Sequence, residues 1–82
     1  MRSTIIHELP GWRVTSYGNG LAYEVAHKPL GMAIFFQGDD AGEFRDTLEG
    51  LTESAPFLDY SDALAIVWND HSESATQWRI EA

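Results

Sequence analysis

The Asn19-Gly20 dipeptide constrains the fold of this chain more than any other feature, because it lies between two runs of alternating residues. Apolar and polar side chains alternate over residues 12–17 and again over residues 21–27. Asn-Gly favours a type I′ turn, whose two central residues need positive φ and whose twist matches that of antiparallel strands. The sequence therefore predicts a β-hairpin.

Turn chemistry and alternation predict the same register for this hairpin. The predicted cross-strand pairs are Trp12 with His27, Val14 with Val25, Thr15 with Glu24, and Ser16 with Tyr23. Three of these pairs place the large apolar side chains on one face, which we expect to cover the core. The other face carries Arg13, Thr15, Tyr17, Ala22, Glu24 and Ala26.

The segments outside the hairpin complete an α+β pattern. We predict strands over residues 3–7, 32–37 and 76–80, a turn over residues 28–31, and helices over residues 39–54 and from residue 59 or 61 to about residue 71. The expected architecture is an antiparallel sheet of three to five strands with both helices packed on it. The apolar strand should be covered on both sides, and the second helix, apolar almost all round, should be buried.

The first helix has the clearest amphipathic pattern in the chain. Its apolar residues recur at spacings of three and four; they are Ala41, Phe44, Leu48 and Leu51. Asp40 and Glu43 have the spacing of a capping box, which predicts that they satisfy the first backbone N–H groups. Gly42 and Gly50 lower the helix propensity, so we expect some fraying.

Composition limits the class of protein. A chain of 82 residues, 44% of them apolar, makes one folded domain, residues 1–82. The absence of cysteine excludes disulfides, thiolate chemistry and zinc sites built on cysteine. The first residues lack the apolar core of a signal peptide, and no run approaches the ~18 apolar residues of a membrane span. We therefore expect a cytoplasmic protein that does not bind membranes.

Charge is distributed unevenly along the chain. Thirteen acidic and five basic residues give a net charge of −8. Residues 1–37 carry a net charge of +1, whereas residues 38–78 hold ten acids and only Arg45 as a base, a net charge of −9. Free nucleic acid is an unfavourable partner for such a chain, because phosphate binding depends on Lys and Arg. A basic protein surface is a more favourable partner.

No segment has the pattern of a catalytic, metal or cofactor site. Asp70-His71-Ser72 holds the residue types of a hydrolase triad, but neighbours on a helix point about 100° apart, and a triad is assembled from distant positions. The acidic segment 39–43 lacks the ligand spacing of a calcium loop. The glycines around Asn19 lead into a strand, whereas a phosphate loop leads into a helix. We expect no enzyme activity, no metal and no cofactor.

The outer side of the first helix is the candidate binding surface. At 100° per residue, five acids fall within an arc of about 120° opposite the apolar set; they are Asp39, Glu43, Asp46, Glu49 and Glu53. No Lys or Arg interrupts them, so the favourable i, i+4 ion pairs of an ordinary solvated helix are missing. Asp40, Asp59 and Asp62 extend the negative field. The acids recur about every 5–6 Å along the axis, near the spacing of successive phosphates along one strand. The alternative interpretation is a solvated face with no partner.

A small, cysteine-free, acidic α+β domain of this kind resembles the anti-CRISPR proteins of phages and other DNA-mimic inhibitors, in size and charge over the whole chain and in no single motif. The segment 35–41, Phe-Phe-Gln-Gly-Asp-Asp-Ala, is a distinctive strand-to-helix junction. The resemblance implies a protein of the host cell cytoplasm that occupies the DNA-binding surface of a type I CRISPR surveillance complex and blocks target engagement.

Two other classes fit the same sequence. One is an immunity protein or antitoxin, which would neutralise a basic toxin or nuclease. The other is a small homodimeric adaptor that uses an apolar sheet face carrying Tyr17, with Trp78 or Phe35. The sequence alone does not determine the oligomeric state.

Overall fold

The computed structural model describes residues 2–55, 57 and 59–78. Its strands are β1 (Ser3–Leu9), β2 (Trp12–Tyr17), β3 (Ala22–His27), β4 (Met32–Gln37) and β5 (Thr76–Gln77), and its α-helices are α1 (Asp39–Ser54) and α2 (Tyr60–His71). The strands form one antiparallel sheet in the order β1-β2-β3-β4-β5. The predicted α+β fold is confirmed.

The β2–β3 hairpin has the predicted register. Its pairs include Trp12 with His27, Val14 with Val25, Thr15 with Glu24 and Ser16 with Tyr23. Asn19 has φ of 56°, and the glycines before and after it also have positive φ, 60° and 97°. The local requirement for left-handed backbone explains why Asn stands between two glycines at this connection.

The edge strand β1 is longer than predicted and contains a β-bulge. The register shifts between Ile5 and His7, so Ile5 pairs with Thr15 and His7 pairs with Val14. As a result, His7 turns toward the helices, where its ring lies 4.3 Å from that of Tyr60. A bulge also protects an edge strand against unwanted pairing.

The core lies between one face of the sheet and the two helices. It comprises Trp12, Val14, Tyr23, Val25, Ile34, Phe36, Ala41, Phe44, Leu48, Ala63, Leu64, Val67 and Trp68. Phe44 of α1 stacks on Phe36 of β4 at 4.7 Å between ring centroids, and Trp68 of α2 meets Trp12 of β2 at 5.7 Å. These aromatic contacts attach both helices to the same side of the sheet.

Two burial predictions were wrong, for the same reason. Phe35 of β4 is 50% exposed and Ile66 of α2 is 40% exposed. Because both helices pack on one face, the other face of β4 has no helix over it, and the outward side of α2 has no neighbouring layer.

Neither α1 nor α2, the two α-helices of the described residues, has the length and the apolar character that a membrane-spanning helix needs.

The ends of the other predicted elements agree closely with the structure. Residues 28–31 form a turn in which Lys28–Leu30 is a 3₁₀ helix, and α1 continues without a break through Gly42 and Gly50. The last strand is confirmed only for Thr76–Gln77, since residues 79 and 80 lie outside the described part of the chain.

Candidate partner-binding surface

The outward face of α1 presents the acids predicted from the sequence. Asp39, Glu43, Asp46, Glu49 and Glu53, here called the acidic stripe, are all exposed. The buried side of the same helix consists of Ala41, Phe44 and Leu48. The helical period thus places the carboxylates directly opposite the residues that fix α1 on the sheet.

The acidic stripe has little charge compensation within the chain. Arg45 Nε lies 3.8 Å from Asp46 Oδ1, and the two side chains are 52% and 76% exposed. Of the ion pairs among the described residues, it is the only one that involves a helix. An exposed pair at that distance contributes little to stability. The negative field of α1 is therefore largely available to a partner.

The predicted capping box at the start of α1 is wrong. The N-cap is Gly38, which has φ of 62° and no side-chain capping bond, so Asp39 and Asp40 lie within the first turn. Gly38 allows the sharp change of direction from β4 into α1, which a residue with a side chain would strain. Both acids still favour the helix by their position near its positive end.

Asp59 and Asp62 are exposed at the start of α2, but one of them has a structural task. Asp59 is the N-cap, and its Oδ1 accepts a hydrogen bond from the backbone N of Asp62 at 2.9 Å. A carboxylate at an N-cap satisfies one of the unpaired N–H groups of the first turn. Asp59 thus acts as a cap and Asp62 extends the negative surface.

The acidic residues also border a cleft that the sequence did not indicate. The cleft has a volume of about 140 Å³ between α1, α2 and β4 and is lined by Phe36, Asp40, Glu43, Phe44, Thr47, Val67, Asp70 and His71. The His71 ring meets the edge of Phe36 at 5.2 Å between centroids. No short-range pattern could have found this site, because packing of the two helices joins residues about thirty positions apart.

A second, more apolar cleft shares Phe44 with the first and lies beside the middle of α1, toward β1 and the start of α2. Its volume is about 210 Å³, and its lining is Ile6, His7, Tyr23, Phe44, Arg45, Leu48, Glu49 and Tyr60. Burial lowers the pKa of His7, which favours the neutral ring beside Tyr60. The β1 bulge brings His7 to this position, and the sequence carries no sign of that bulge.

Asp40, Glu43 and Asp70 line the same cleft as His71. Asp70, His71 and Ser72 are all exposed, with His71 directed onto Phe36. In residues 2–55, 57 and 59–78, no group of three His, Asp or Glu side chains is arranged to hold a metal ion.

Comparisons with known proteins add nothing to this description: no protein-family model matches the chain, and no curated protein or solved structure matches it.

Proposed function

We propose that the protein is a non-enzymatic inhibitor that binds the basic surface of a nucleic-acid-binding protein complex through its acidic stripe. The observation that carries this proposal is a helix face with five exposed carboxylates, of which only Asp46 contacts a basic side chain, that of Arg45, at 3.8 Å. Like charges at i, i+3 and i, i+4 destabilise a helix by about 0.2–0.5 kcal/mol each. A surface that retains this repulsion gains most from a partner that supplies positive charge.

The rigidity of α1 supports this proposal. Phe44 packs between Phe36 and Tyr23, with ring centroids 4.7 Å and 5.3 Å away, so the helix is fixed on the sheet by aromatic contacts. Carboxylates on a fixed helix lose less freedom on binding than carboxylates on a mobile tail. They also act as a row of charges along one line, which is the arrangement that a groove for a nucleic-acid strand recognises.

The net charge favours fast association with such a groove. Opposite fields on two proteins steer diffusional encounter and raise the association rate, and salt weakens this effect. On the basis of the resemblance to anti-CRISPR proteins, we propose a type I CRISPR surveillance complex as the target. An acidic inhibitor in its Lys- and Arg-lined DNA path would block target engagement by occupancy, without any chemical step.

Binding to a purified, immobilised type I surveillance complex tests the proposal. We expect binding that weakens at least tenfold between 50 mM and 300 mM salt, about 1.4 kcal/mol. A variant with Glu49→Gln and Glu53→Gln should bind at least tenfold more weakly at low salt. The matched control carries Glu24→Gln and Glu73→Gln, which changes the net charge equally but at positions outside α1 and outside the cleft that Glu43 lines, and it should bind like the wild type.

Equal loss in both variants would show that only net charge matters and would contradict a defined binding surface. If the protein does not bind this complex, the anti-CRISPR assignment is wrong. Stripe-dependent binding to a basic nuclease or toxin in place of the complex would instead identify an immunity protein.

A further inference from the structure

The outer face of the sheet, which points away from both helices, is covered in part by Trp78. The backbone N–H of Trp78 donates to the carbonyl of Gly31 at 2.9 Å, directly after the end of β5. Its side chain donates a hydrogen bond to the carboxylate of Glu24 on β3, and the guanidinium of Arg13 on β2 lies 5.6 Å from the centre of its ring. The indole therefore extends from the end of β5 over β4 to residues of β3 and β2.

Two alanines make room for the indole on the sheet. Arg13 pairs with Ala26 and Ala26 pairs with Ala33, so these three residues form one row across the outer face. Ala26 is fully buried and Ala33 is 5% exposed, although no helix covers this face. They lie between β5 and Arg13, on the path that the Trp78 side chain takes. Ala26 and Ala33, here called the alanine notch, are small enough for a flat ring to pack directly on the strands.

The segment that carries Trp78 has few other attachments to the fold. β5 has two residues, both exposed, and each forms one pair with β4. The preceding 3₁₀ helix, Ser72–Ser74, contains no buried residue. Segments with few buried apolar contacts and exposed backbone hydrogen bonds open at a lower free energy than core strands do. The indole in the alanine notch is therefore the main attachment of this segment.

We propose that β5 and Trp78 form a strap, which closes the outer face by placing the indole in the alanine notch and opens as one unit while the core stays folded. Opening breaks the hydrogen bonds to Glu24 and Gly31 together, because both belong to Trp78. It also leaves the outer edge of Met32 and Ala33 without a strand partner. An exposed strand edge is a template for pairing with another strand. The strap thus controls when this edge of the sheet is available.

Hydrogen exchange of the whole chain, followed by NMR, tests this proposal. Trp78 supplies two probes, its backbone N–H and its indole N–H, which have different acceptors. For a strap that opens as one unit, their protection factors should agree within about threefold and should be at least roughly tenfold lower than those of the hydrogen-bonded amides of the β2–β3 hairpin. Different protection factors for the two protons, or protection equal to that of the hairpin, would overturn the proposal.

Ala33→Leu fills the alanine notch from the side that no helix covers. This variant should lower the protection of both Trp78 protons at least roughly tenfold and leave the hairpin amides unchanged. Ser3→Leu is the matched control, because it adds similar bulk at the exposed start of β1, and it should exchange like the wild type. Unchanged protection of the Trp78 protons in folded Ala33→Leu would overturn the proposal.

Trp78→Ala covers the case in which Ala33→Leu does not fold, since it removes the indole and adds nothing to the sheet. The protection of the backbone amide at position 78 should fall at least roughly tenfold, with the hairpin amides unchanged. Protection that stays at the wild-type value would contradict the role of the indole. These outcomes leave the binding test of the acidic stripe unaffected, since that surface lies on the other side of the molecule.

Discussion

On the sheet, Glu8 holds Arg13 in a two-pronged hydrogen bond and draws Lys28 to the same carboxylate, whereas on α1 five exposed carboxylates share one contact of 3.8 Å with Arg45. The acid of the sheet joins β1 to β2 and to the turn after β3. The ion pair of the acidic stripe, between Arg45 and Asp46, lies within α1, so among the described residues these acids form no ion pair with another element. The comparison teaches that net charge alone does not distinguish the two regions: the charge on the sheet is paired within the chain, whereas the charge on α1 is not, which is why we propose α1 as the binding surface.

The largest expected effect on stability comes from removing the aromatic contact that fixes α1 on the sheet. Phe44→Ala removes the ring that stacks on Phe36 and contacts Tyr23, and the cavity it leaves should lower the free energy of unfolding by about 3–5 kcal/mol. Urea denaturation measures this loss. Phe57→Ala is the control, since Phe57 is 85% exposed, and it should change stability by less than about 0.5 kcal/mol. Equal effects would mean that α1 is not fixed by its aromatic contacts.

Neutralising the acidic stripe should stabilise the fold. With Glu43, Asp46, Glu49 and Glu53 changed to amides, five like-charge pairs at i, i+3 or i, i+4 disappear. The gain should be about 1 kcal/mol at low salt. Thermal melts at 20 mM and 1 M salt measure it, and the gain should vanish at 1 M, where the Debye length is about 3 Å. A variant that melts at or below the wild-type temperature at low salt would show that the carboxylates are compensated within the chain.

Neutralising Glu8, the paired acid of the sheet, should destabilise the fold, whereas neutralising the acidic stripe should stabilise it. The hydrogen bonds from Arg13 hold the pKa of Glu8 at about 2, below its ordinary value of 4.5. A depressed folded-state pKa contributes stability that is complete above the unfolded value and is lost as the pH falls through the folded value. Glu8→Gln should therefore be less stable than the wild type at pH 7, and the difference should disappear between about pH 4.5 and pH 2.

Urea midpoints measured from pH 2 to pH 7 check this prediction. Glu73→Gln, which removes one exposed acid from the turn after α2, controls for the change in net charge. A difference between Glu8→Gln and the wild type that is independent of pH would exclude the ion pair as its source.

The smallest effect is expected at Glu24. Burial raises the pKa of Glu24, although the Trp78 hydrogen bond and Arg13 act in the opposite direction. A raised folded-state pKa means that ionisation opposes folding, so the wild type loses stability as the pH rises above 4.5. Glu24→Gln should then be more stable than the wild type at pH 7, by less than about 0.5 kcal/mol. It should match the wild type near pH 3. Lower stability at pH 7 would mean that the carboxylate's contacts outweigh its burial.

Local signals predicted much of this fold. The register of the hairpin follows from Asn19-Gly20, and the bounds of α1 follow from its apolar spacing and from the break after Gln37. The acidic stripe was predictable because exposure on an amphipathic helix follows the same period as burial.

Non-local packing accounts for the predictions that were wrong or missing. The exposure of Phe35 depends on both helices choosing the same face of the sheet, and the position of His7 depends on a bulge that only strand pairing creates. Likewise, the cleft between Asp40 and Asp70 exists only because α1 and α2 pack together. A one-dimensional pattern contains none of these relations.

The most direct test of the central claim is competition for DNA. Fluorescence anisotropy would follow labelled target DNA bound to a purified type I surveillance complex while the protein is added. We predict that the wild type displaces the DNA and that the four-amide variant of the acidic stripe, folded and at the same concentration, does not. Displacement by both proteins to the same extent, or by neither, would contradict the account.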